Sequence, residues 1–218
     1  EWDASNVTSM RGLFSFAKSF NQVIGGWDTS KVTDMQLMFK SAESFNQELS
    51  QWNTSNVENM YAMFADAIDF NQNINSWNTI SVNNMAKMFR GALNFNQNLN
   101  SWNTSNVTTM EEMFYQAIFF NGEISNWNIE NVSTLSAMFN EMNFDNDLSN
   151  WNTSNVSDFS GMFSFNHFFN RAIGNWDTSS ATTMQGMFQE ASAFNQNLSG
   201  WCVSQIQAEP LNFSSFSS

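Results

Sequence analysis

The sequence predicts an α/β solenoid, a right-handed coil of about nine turns in which each turn joins a short parallel β-strand to a short helix. Two features of the sequence support this fold class. Its nine tryptophans recur at a nearly constant interval of about 25 residues, and a fixed period of this length is typical of proteins built from stacked repeats. The other apolar residues also occupy fixed positions within the period. The tryptophans, each taken as position 1 of a repeat, are Trp2, Trp27, Trp52, Trp77, Trp102, Trp127, Trp151, Trp176 and Trp201.

A short helix is predicted in the middle of each repeat. Positions 9, 12, 13 and 16 carry apolar residues, which in the second repeat are Met35, Met38, Phe39 and Ala42. This i, i+3, i+4, i+7 spacing is typical of one face of an amphipathic helix. Position 7 often carries Thr or Ser with Gln or Glu at position 10, as in Thr33 and Gln36, which is the spacing of a capping box. We therefore expect a helix of two to three turns that begins near position 7.

A short strand is predicted from position 23 of one repeat through position 3 of the next. The segment from Leu99 to Thr104 illustrates it, because its sequence has no helical face. Stacked strands lie about 4.8 Å apart, whereas a helix is about 10 Å wide. The helical side should therefore splay, and we expect the solenoid to curve with its strands on the inner face.

The repeated motif L-x-x-W-[ND]-T-S-N-V-T-x-M-x-x-M-F resembles a known family. It is similar to the BspA-like bacterial surface leucine-rich repeats, in their Trp- and Met-rich variety of about 25 residues per repeat, and the resemblance extends from Trp2 to about Phe213. The resemblance implies a leucine-rich-repeat solenoid, a secreted or surface-anchored location and a role in adhesion or protein binding. It implies no enzymatic activity.

Several parts of the chain depart from the repeat. We expect residues 1–200 to form the repeat solenoid, with an incomplete first turn at Glu1, and residues 201–218 to form a C-terminal capping segment, since Pro210 stands inside the predicted last helix. The sixth repeat lacks one residue between Phe139 and Phe144, so Met142 or a neighbour should take the place of the usual alanine and the chain should kink. The turn that follows should bring extra phenylalanines to the surface.

The apolar columns are predicted to fill the core. Met at these positions could bind soft metals and Trp could stack on carbohydrate, but flexible Met side chains beside Phe more often fill core gaps. A Trp in an inward position is usually buried with its N–H bonded to a carbonyl. Asn recurs at position 20, where the chain must turn, and we expect it to form a structural ladder between turns.

The composition excludes several classes of function. With 20 acidic and 7 basic residues the net charge is −13, which does not suit a protein that neutralises nucleic-acid phosphates. No apolar run is long enough to insert into a membrane. One His and one Cys, His167 and Cys202, cannot form a zinc site or an internal disulfide, so we expect no metal and no cofactor. A catalytic site would have to interrupt the repeat with convergent residues, and the interruptions near Met142 and His167 lack such partners, so we expect no enzymatic activity. A calcium site at Asp3 and Asp28 is a weak alternative.

The candidate ligand-binding residues flank the tryptophan, at position 25 of one repeat and position 2 of the next. If the tryptophan points inward, its two neighbours in an extended segment point outward. Their side chains are polar and nearly uncharged, which suits hydrogen bonding to an extended protein segment or a glycan, and their uniformity does not suit a small-molecule pocket. The candidates are Gln51, Asn53, Ser76, Asn78, Ser101, Asn103, Asn126, Asn128, Asn150 and Asn152.

Three functional hypotheses follow. The first is a non-catalytic extracellular recognition or adhesion module of a larger cell-surface or secreted protein, whose partner is a protein or glycan on another cell or matrix. The second is a structural spacer or filament subunit that self-associates through the ends of the solenoid. The third, the weakest, is ice binding through the threonines at position 3, which are Thr29, Thr54, Thr79, Thr104, Thr153 and Thr178.

Overall fold

The computed structural model describes residues 2–214; Glu1, at the predicted incomplete turn, and residues 215–218 of the predicted capping segment lie outside them. Residues 2–214 contain no helix and no strand longer than a single bridging residue. Their parallel bridges join position 8 of successive repeats, from Ser9 with Asp34 to Asp158 with Thr183. The predicted α/β solenoid of strand-plus-helix turns is therefore wrong. The curvature was predicted from the width of these helices, so that prediction no longer has any support.

Each repeat forms one coil whose backbone bonds to the neighbouring coils. The N–H groups at positions 9, 11, 13 and 15 point towards the carbonyls at positions 8, 10, 12 and 14 of the following coil. In the fourth coil, the N–H of Phe89 donates to the carbonyl of Met113 at 2.9 Å, and the N–H of Gly91 donates to the carbonyl of Tyr115 at 2.7 Å. Successive repeats are thus stacked in register.

The segment predicted as a helix is a series of tight turns. Bonds such as that from the Met38 N–H to the Met35 carbonyl, at 3.2 Å, span three residues, and the alternate N–H groups bond to the next coil instead of closing a helix. Positions 11 and 15 are left-handed, with φ of 60° at Leu37 and 55° at Ser41, which an α-helix of L-residues does not accommodate. The predicted buried set is nevertheless correct, because these turns bring four side chains to the interior: Met35, Met38, Phe39 and Ala42.

The segment predicted as a strand contains a turn instead. The N–H of Trp102 donates to the carbonyl of Leu99 at 3.1 Å within the same coil, so it is not free to pair with a neighbouring coil. One backbone bond joins neighbouring coils here, from the Leu99 N–H to the Glu123 carbonyl at 3.2 Å, and side chains make the other connections. The Thr104 hydroxyl donates to the carbonyl of Asn128 at 2.8 Å, and the indole N–H of Trp102 donates to the carbonyl of Ile74 at 3.0 Å.

Three columns of aromatic rings run through the core. Within a coil, the phenylalanines at positions 13 and 19 have ring centroids 3.8 to 4.2 Å apart. From coil to coil, the tryptophan rings lie 5.9 to 6.5 Å apart. Six of the tryptophans are only 2 to 4% exposed, and they are Trp52, Trp77, Trp102, Trp127, Trp151 and Trp176. The predicted burial of the Met columns is confirmed, as is that of these six tryptophans with their indole-to-carbonyl bonds, whereas Trp2 is 71% exposed.

The predicted asparagine ladder is also confirmed. At position 20 the side-chain oxygen of Asn71 accepts the backbone N–H of Asn96 at 2.9 Å and the side-chain N–H of Gln97 at 2.8 Å. One step replaces this amide pair by an ion pair, in which Arg171 lies 2.8 Å from the Asp145 carboxylate. The ladder therefore tolerates a charged pair where the partners change together.

The one-residue deletion in the sixth coil is compensated in the seventh. Met142 is buried and takes the place of the usual alanine, as predicted. In the next coil Asn166 occupies that position and is fully buried. Its side-chain N–H donates to the Phe144 carbonyl at 3.1 Å, and its side-chain oxygen accepts the backbone N–H groups of Phe168 and Phe169, both at 3.2 Å. Phe168 is exposed, in agreement with the extra surface phenylalanine predicted here.

Substituting glycine at a left-handed position tests the backbone conformation, because the sign of the change in the free energy of unfolding depends on that conformation. Ser41 has a φ of 55°, and Gly91 occupies the same position of another coil at 65°. We expect Ser41→Gly to raise the free energy of unfolding by about 0.5–1 kcal/mol, because glycine relieves the left-handed strain. In a helix the same change would lower it. Urea denaturation measures the difference.

Ser44→Gly is the matched control, since Ser44 lies three residues away and is not among the positive-φ residues. We expect this control to lower the free energy of unfolding by about 0.5 kcal/mol. Destabilisation of similar size by both substitutions would contradict the left-handed assignment at Ser41.

Candidate binding surface

The ten predicted binding residues lie together on one exposed surface. Each flanks a buried tryptophan, so two parallel columns of polar side chains run along the stack of coils. We call this surface the polar face. All ten are exposed, and they are Gln51, Asn53, Ser76, Asn78, Ser101, Asn103, Asn126, Asn128, Asn150 and Asn152.

The asparagines at position 2 are held by local turns. The side-chain oxygen of Asn103 accepts the backbone N–H of Ser105 at 3.0 Å and the Ser105 hydroxyl at 2.7 Å. The side-chain oxygen of Asn128 accepts the backbone N–H of Glu130 at 2.9 Å. Because these bonds use the oxygen, they fix the amide orientation. Within residues 2–214, the side-chain N–H2 groups of Asn103 and Asn128 have no protein acceptor, so they remain available to a ligand.

The residues at position 25 form hydrogen bonds with the neighbouring coils. The Ser76 hydroxyl donates to the carbonyl of Ser50 at 3.3 Å. The backbone N–H of Asn126 donates to the side-chain oxygen of Asn100 at 2.8 Å. These bonds hold the register of the polar face from coil to coil.

Aspartates replace asparagine at position 2 near both ends of the polar face. The pKa of the Asp28 carboxyl is lowered, first by a side-chain hydrogen bond from Ser30 and then by the backbone N–H of the same residue. Asp177 has a lowered pKa for the same reasons, with Ser179 as the donor. At neutral pH the polar face is therefore amide-rich in the middle and anionic towards its ends.

The threonines at position 3 point into the protein. Each of the six is 1% exposed, and each hydroxyl donates to a carbonyl of the next coil, as Thr54 does to Asn78 at 3.0 Å. A buried hydroxyl cannot order surface water, so this column does not provide the surface that the ice-binding hypothesis requires.

A network of charged and aromatic side chains lies outside the polar face, at positions 10 to 15 of the central coils. Arg90 lies 3.3 Å from the Glu112 carboxylate and 5.0 Å from the centroid of the Tyr115 ring, while Lys87 also contacts Glu112, at 3.4 Å. The Tyr115 hydroxyl donates to Glu141 at 2.8 Å. Burial, and then this bond, raise the pKa of Tyr115. This network could not be predicted from the repeat because its residues occupy variable positions.

The remaining candidate residues are isolated from each other. The imidazole Nδ1 of His167 lies 3.5 Å from the Ser192 hydroxyl. Cys202 is an exposed free thiol 3.4 Å from the Ser204 hydroxyl. In the described part of the chain, no cluster of three or more His, Cys, Asp or Glu residues is placed to hold a metal ion. The same residues include no helix that is long and apolar enough to cross a membrane.

Comparison with known families agrees with the repeat. Three overlapping stretches, residues 1–92, 49–145 and 123–218, match the family model described as "Mycoplasma protein of unknown function, DUF285". The chain belongs to the DUF285 family. The tandem matches show that DUF285 sequence recurs along the whole chain, and the resemblance to BspA-like leucine-rich repeats stays a prediction. A search of curated proteins found no match.

Proposed function

We propose that this DUF285 protein is a non-catalytic recognition or adhesion module that binds a protein or glycan along the polar face. The observation that carries the proposal is the exposure of ten polar side chains in two continuous columns. An extended ligand could bond to several coils at once, since equivalent groups recur on each coil.

The local turns at position 2 favour such binding. The amide of Asn103 is already oriented by its bonds to Ser105, so a ligand would not have to order it. Binding to pre-organised groups avoids part of the entropy cost of immobilising side chains. The free N–H2 groups make the middle of the polar face a donor of hydrogen bonds, which suits ligands rich in neutral acceptors such as hydroxyl and carbonyl oxygens.

We place the module on the surface of a cell or in a secreted protein, with its partner on another cell or matrix. The support is the resemblance of the repeated motif to bacterial surface repeats, together with the net charge of −13, which does not suit nucleic-acid binding. The proposed activity needs no cofactor.

The second candidate function is that of a structural spacer whose ends stack on other molecules. The regular stack of coils favours this idea, since backbone bonds such as that from the Phe89 N–H to the Met113 carbonyl, at 2.9 Å, recur from coil to coil. The polar face has no role in a pure spacer, so its variants separate the two functions.

A glycan and peptide array tests the first function with a double variant, Asn103→Asp with Asn128→Asp. Aspartate keeps the side-chain oxygen that accepts the local backbone N–H, occurs naturally at this position in Asp28 and Asp177, and removes the N–H2 donor. We expect ligands of the wild-type protein to bind this variant at least about tenfold more weakly, as the loss of two hydrogen bonds implies.

The matched control is the double variant Asn83→Asp with Asn143→Asp, which adds the same charge at exposed residues outside the polar face. It should bind as the wild-type protein does. Equal binding by the polar-face variant and the wild-type protein would refute this assignment of the surface.

A further inference from the structure

The sixth coil is shorter than its neighbours on one side of the stack. Between its buried residues Met142 and Phe144 it has a single residue, Asn143, where the coils before and after it have two. The three coils nevertheless stay stacked, because the rings of Phe120, Phe144 and Phe169 at position 19 lie 6.2 and 6.4 Å apart. The shortening is therefore confined to the surface residues between positions 16 and 19.

Both neighbours of the short coil expose a phenylalanine at position 18. Phe119 in the fifth coil is 60% exposed, and Phe168 in the seventh coil is 58% exposed. Ile118 and Phe165 add further exposed apolar area. The other coils carry small or polar residues at position 18, which are Ser19, Ser44, Asp69, Asn94, Asn143 and Ala193. Exposed apolar residues that cluster on a polar surface are typical of an interaction site. We call Ile118, Phe119, Asn143, Phe165 and Phe168 the short-coil surface.

Two backbone groups of the short-coil surface lack the partners that earlier coils provide. In the second to fifth coils the N–H at position 18 donates to the carbonyl at position 17 of the preceding coil, as Phe119 does to Leu93 at 3.4 Å. This series ends at the short coil. The N–H of Asn143 and the carbonyl of Ile118 have no hydrogen-bond partner within residues 2–214. One donor and one acceptor are therefore available to the backbone of another polypeptide.

A carboxylate without a cationic partner borders the short-coil surface. Glu141 lies two residues before Asn143, at the same position of its coil as Phe165 in the next coil. Its carboxylate accepts the Tyr115 hydroxyl at 2.8 Å and the Gln116 side-chain N–H at 2.7 Å. Both donors are neutral, and Glu141 forms no ion pair among the residues that the structure describes. The carboxylate can therefore pair with a cation supplied by a ligand.

The other charges near the short-coil surface leave it anionic. Asp145 is paired with Arg171 at 2.8 Å, whereas the exposed Glu123 contacts only the neutral Asn98 side chain, at 3.5 Å. Anionic lipid would be repelled by this surface and by the net charge of −13. A second copy that docked with the same surface would bring like charges together. Charge complementarity instead favours a cationic partner.

We propose that the short-coil surface binds a protein segment in which a large apolar side chain stands next to Lys or Arg. The apolar side chain would pack between Phe119 and Phe168, and the cation would pair with Glu141. A carbonyl of the segment would accept the N–H of Asn143. The polar face lies at positions 25 and 2, so this second surface does not depend on the function proposed for the polar face.

The probe is a five-residue peptide of alternating lysine and phenylalanine, with lysine at both ends and blocked termini. One control peptide has glutamate in place of lysine, and the other has serine in place of phenylalanine. Backbone amide shifts of the full chain, followed by NMR, measure binding. We expect the probe to shift the amides of Phe119, Asn143 and Phe168, with a Kd at least about tenfold lower than that of either control peptide.

Three protein variants locate the site. The double variant Phe119→Ser with Phe168→Ser should bind the probe at least about tenfold more weakly, and serine occurs naturally at this position in Ser19 and Ser44. Glu141→Gln should weaken binding at least about threefold, because it removes the charge. Ile80→Ser is the matched control, since Ile80 is an exposed apolar residue of another surface, and it should leave the Kd unchanged. Circular dichroism melts establish that all three variants fold.

Several outcomes would overturn the proposal. They are absence of binding at millimolar probe, an equal Kd for the glutamate peptide, and an unchanged Kd in the double phenylalanine variant. Light scattering that shows a dimer of the wild-type chain, dissociated by the double variant, would assign the surface to a second copy instead. Sedimentation with phosphatidylcholine vesicles that the double variant abolishes would assign it to lipid.

Discussion

Replacing Trp102 by alanine is expected to lower the free energy of unfolding by about 3–5 kcal/mol. Trp102 is 3% exposed and its ring lies between those of Trp77 and Trp127, at 6.4 and 6.2 Å. Its indole N–H also donates to the carbonyl of Ile74. The substitution therefore removes a large buried side chain and one of the two donors of the Ile74 carbonyl, which keeps the backbone N–H of Trp77 at 3.1 Å.

The loss should spread to neighbouring coils, because each coil of a nearly one-dimensional stack is stabilised by contacts with the next. Urea denaturation followed by circular dichroism measures it. Asn103→Ala is the matched control at the adjacent exposed residue, where only a local turn is lost, and we expect it to cost about 1 kcal/mol or less. If both variants lowered the free energy of unfolding equally, this would contradict the assignment of the tryptophan column to the interior and of the position-2 column to the surface.

Asn166→Ala is expected to lower the free energy of unfolding by about 2–4 kcal/mol. The repeat pattern alone suggests the opposite, since alanine is the usual residue at this position, as at Ala117. In the structure, however, the buried Asn166 side chain bonds to the Phe144 carbonyl and to two backbone N–H groups. Alanine would leave these three backbone groups unpaired, two of them from buried bonds, and each buried unpaired group costs about 1–3 kcal/mol.

Asn140→Ala is the control for this prediction. Asn140 belongs to the neighbouring coil, and its side-chain oxygen is buried without a hydrogen-bond partner among the described residues. Its removal should cost much less than removal of Asn166. A gain in stability from Asn166→Ala would show that the deletion in the sixth coil is accommodated in another way.

The sequence was sufficient to predict which side chains are buried but not the backbone conformation. The spacing of Met35, Met38, Phe39 and Ala42 fits a helical face, and consecutive tight turns bury the same four positions. The feature that distinguishes the two structures is positive φ at positions 11 and 15. Four of these positions carry glycine, which are Gly12, Gly91, Gly161 and Gly186. The others carry residues such as Leu37 and Lys87, whose identity gives no sign of a left-handed backbone.

The strand was predicted wrongly for a related reason. The segment around Trp102 lacks a helical face, which suggested a strand. The exposed neighbours of Trp102 were nevertheless identified correctly, because residues beside an inward side chain point outward. Its backbone N–H bonds within the coil, so no ladder forms there, and the single parallel bridges lie at position 8 instead. Hydrogen-bond partners that lie a whole repeat away cannot be assigned from local sequence patterns.

The repeat was sufficient to predict where the candidate surface lies, but not how its side chains are hydrogen-bonded. Residues beside an inward tryptophan were predicted to be exposed, and they are. That Asn103 and Asn128 donate outward while accepting from their own turns depends on side-chain geometry. The network of Arg90, Glu112 and Tyr115 could not be predicted either, because it joins variable residues of different coils.

Scalar couplings across hydrogen bonds, measured by NMR between amide nitrogen and carbonyl carbon, test the stacked-coil account most directly. The account predicts a coupling from the amide of Phe89 to the carbonyl of Met113, and from the amide of Phe114 to the carbonyl of Met138. The two residues of each pair belong to successive coils. A coupling from the amide of Phe89 to the carbonyl of Met85, the partner expected in an α-helix, would contradict it.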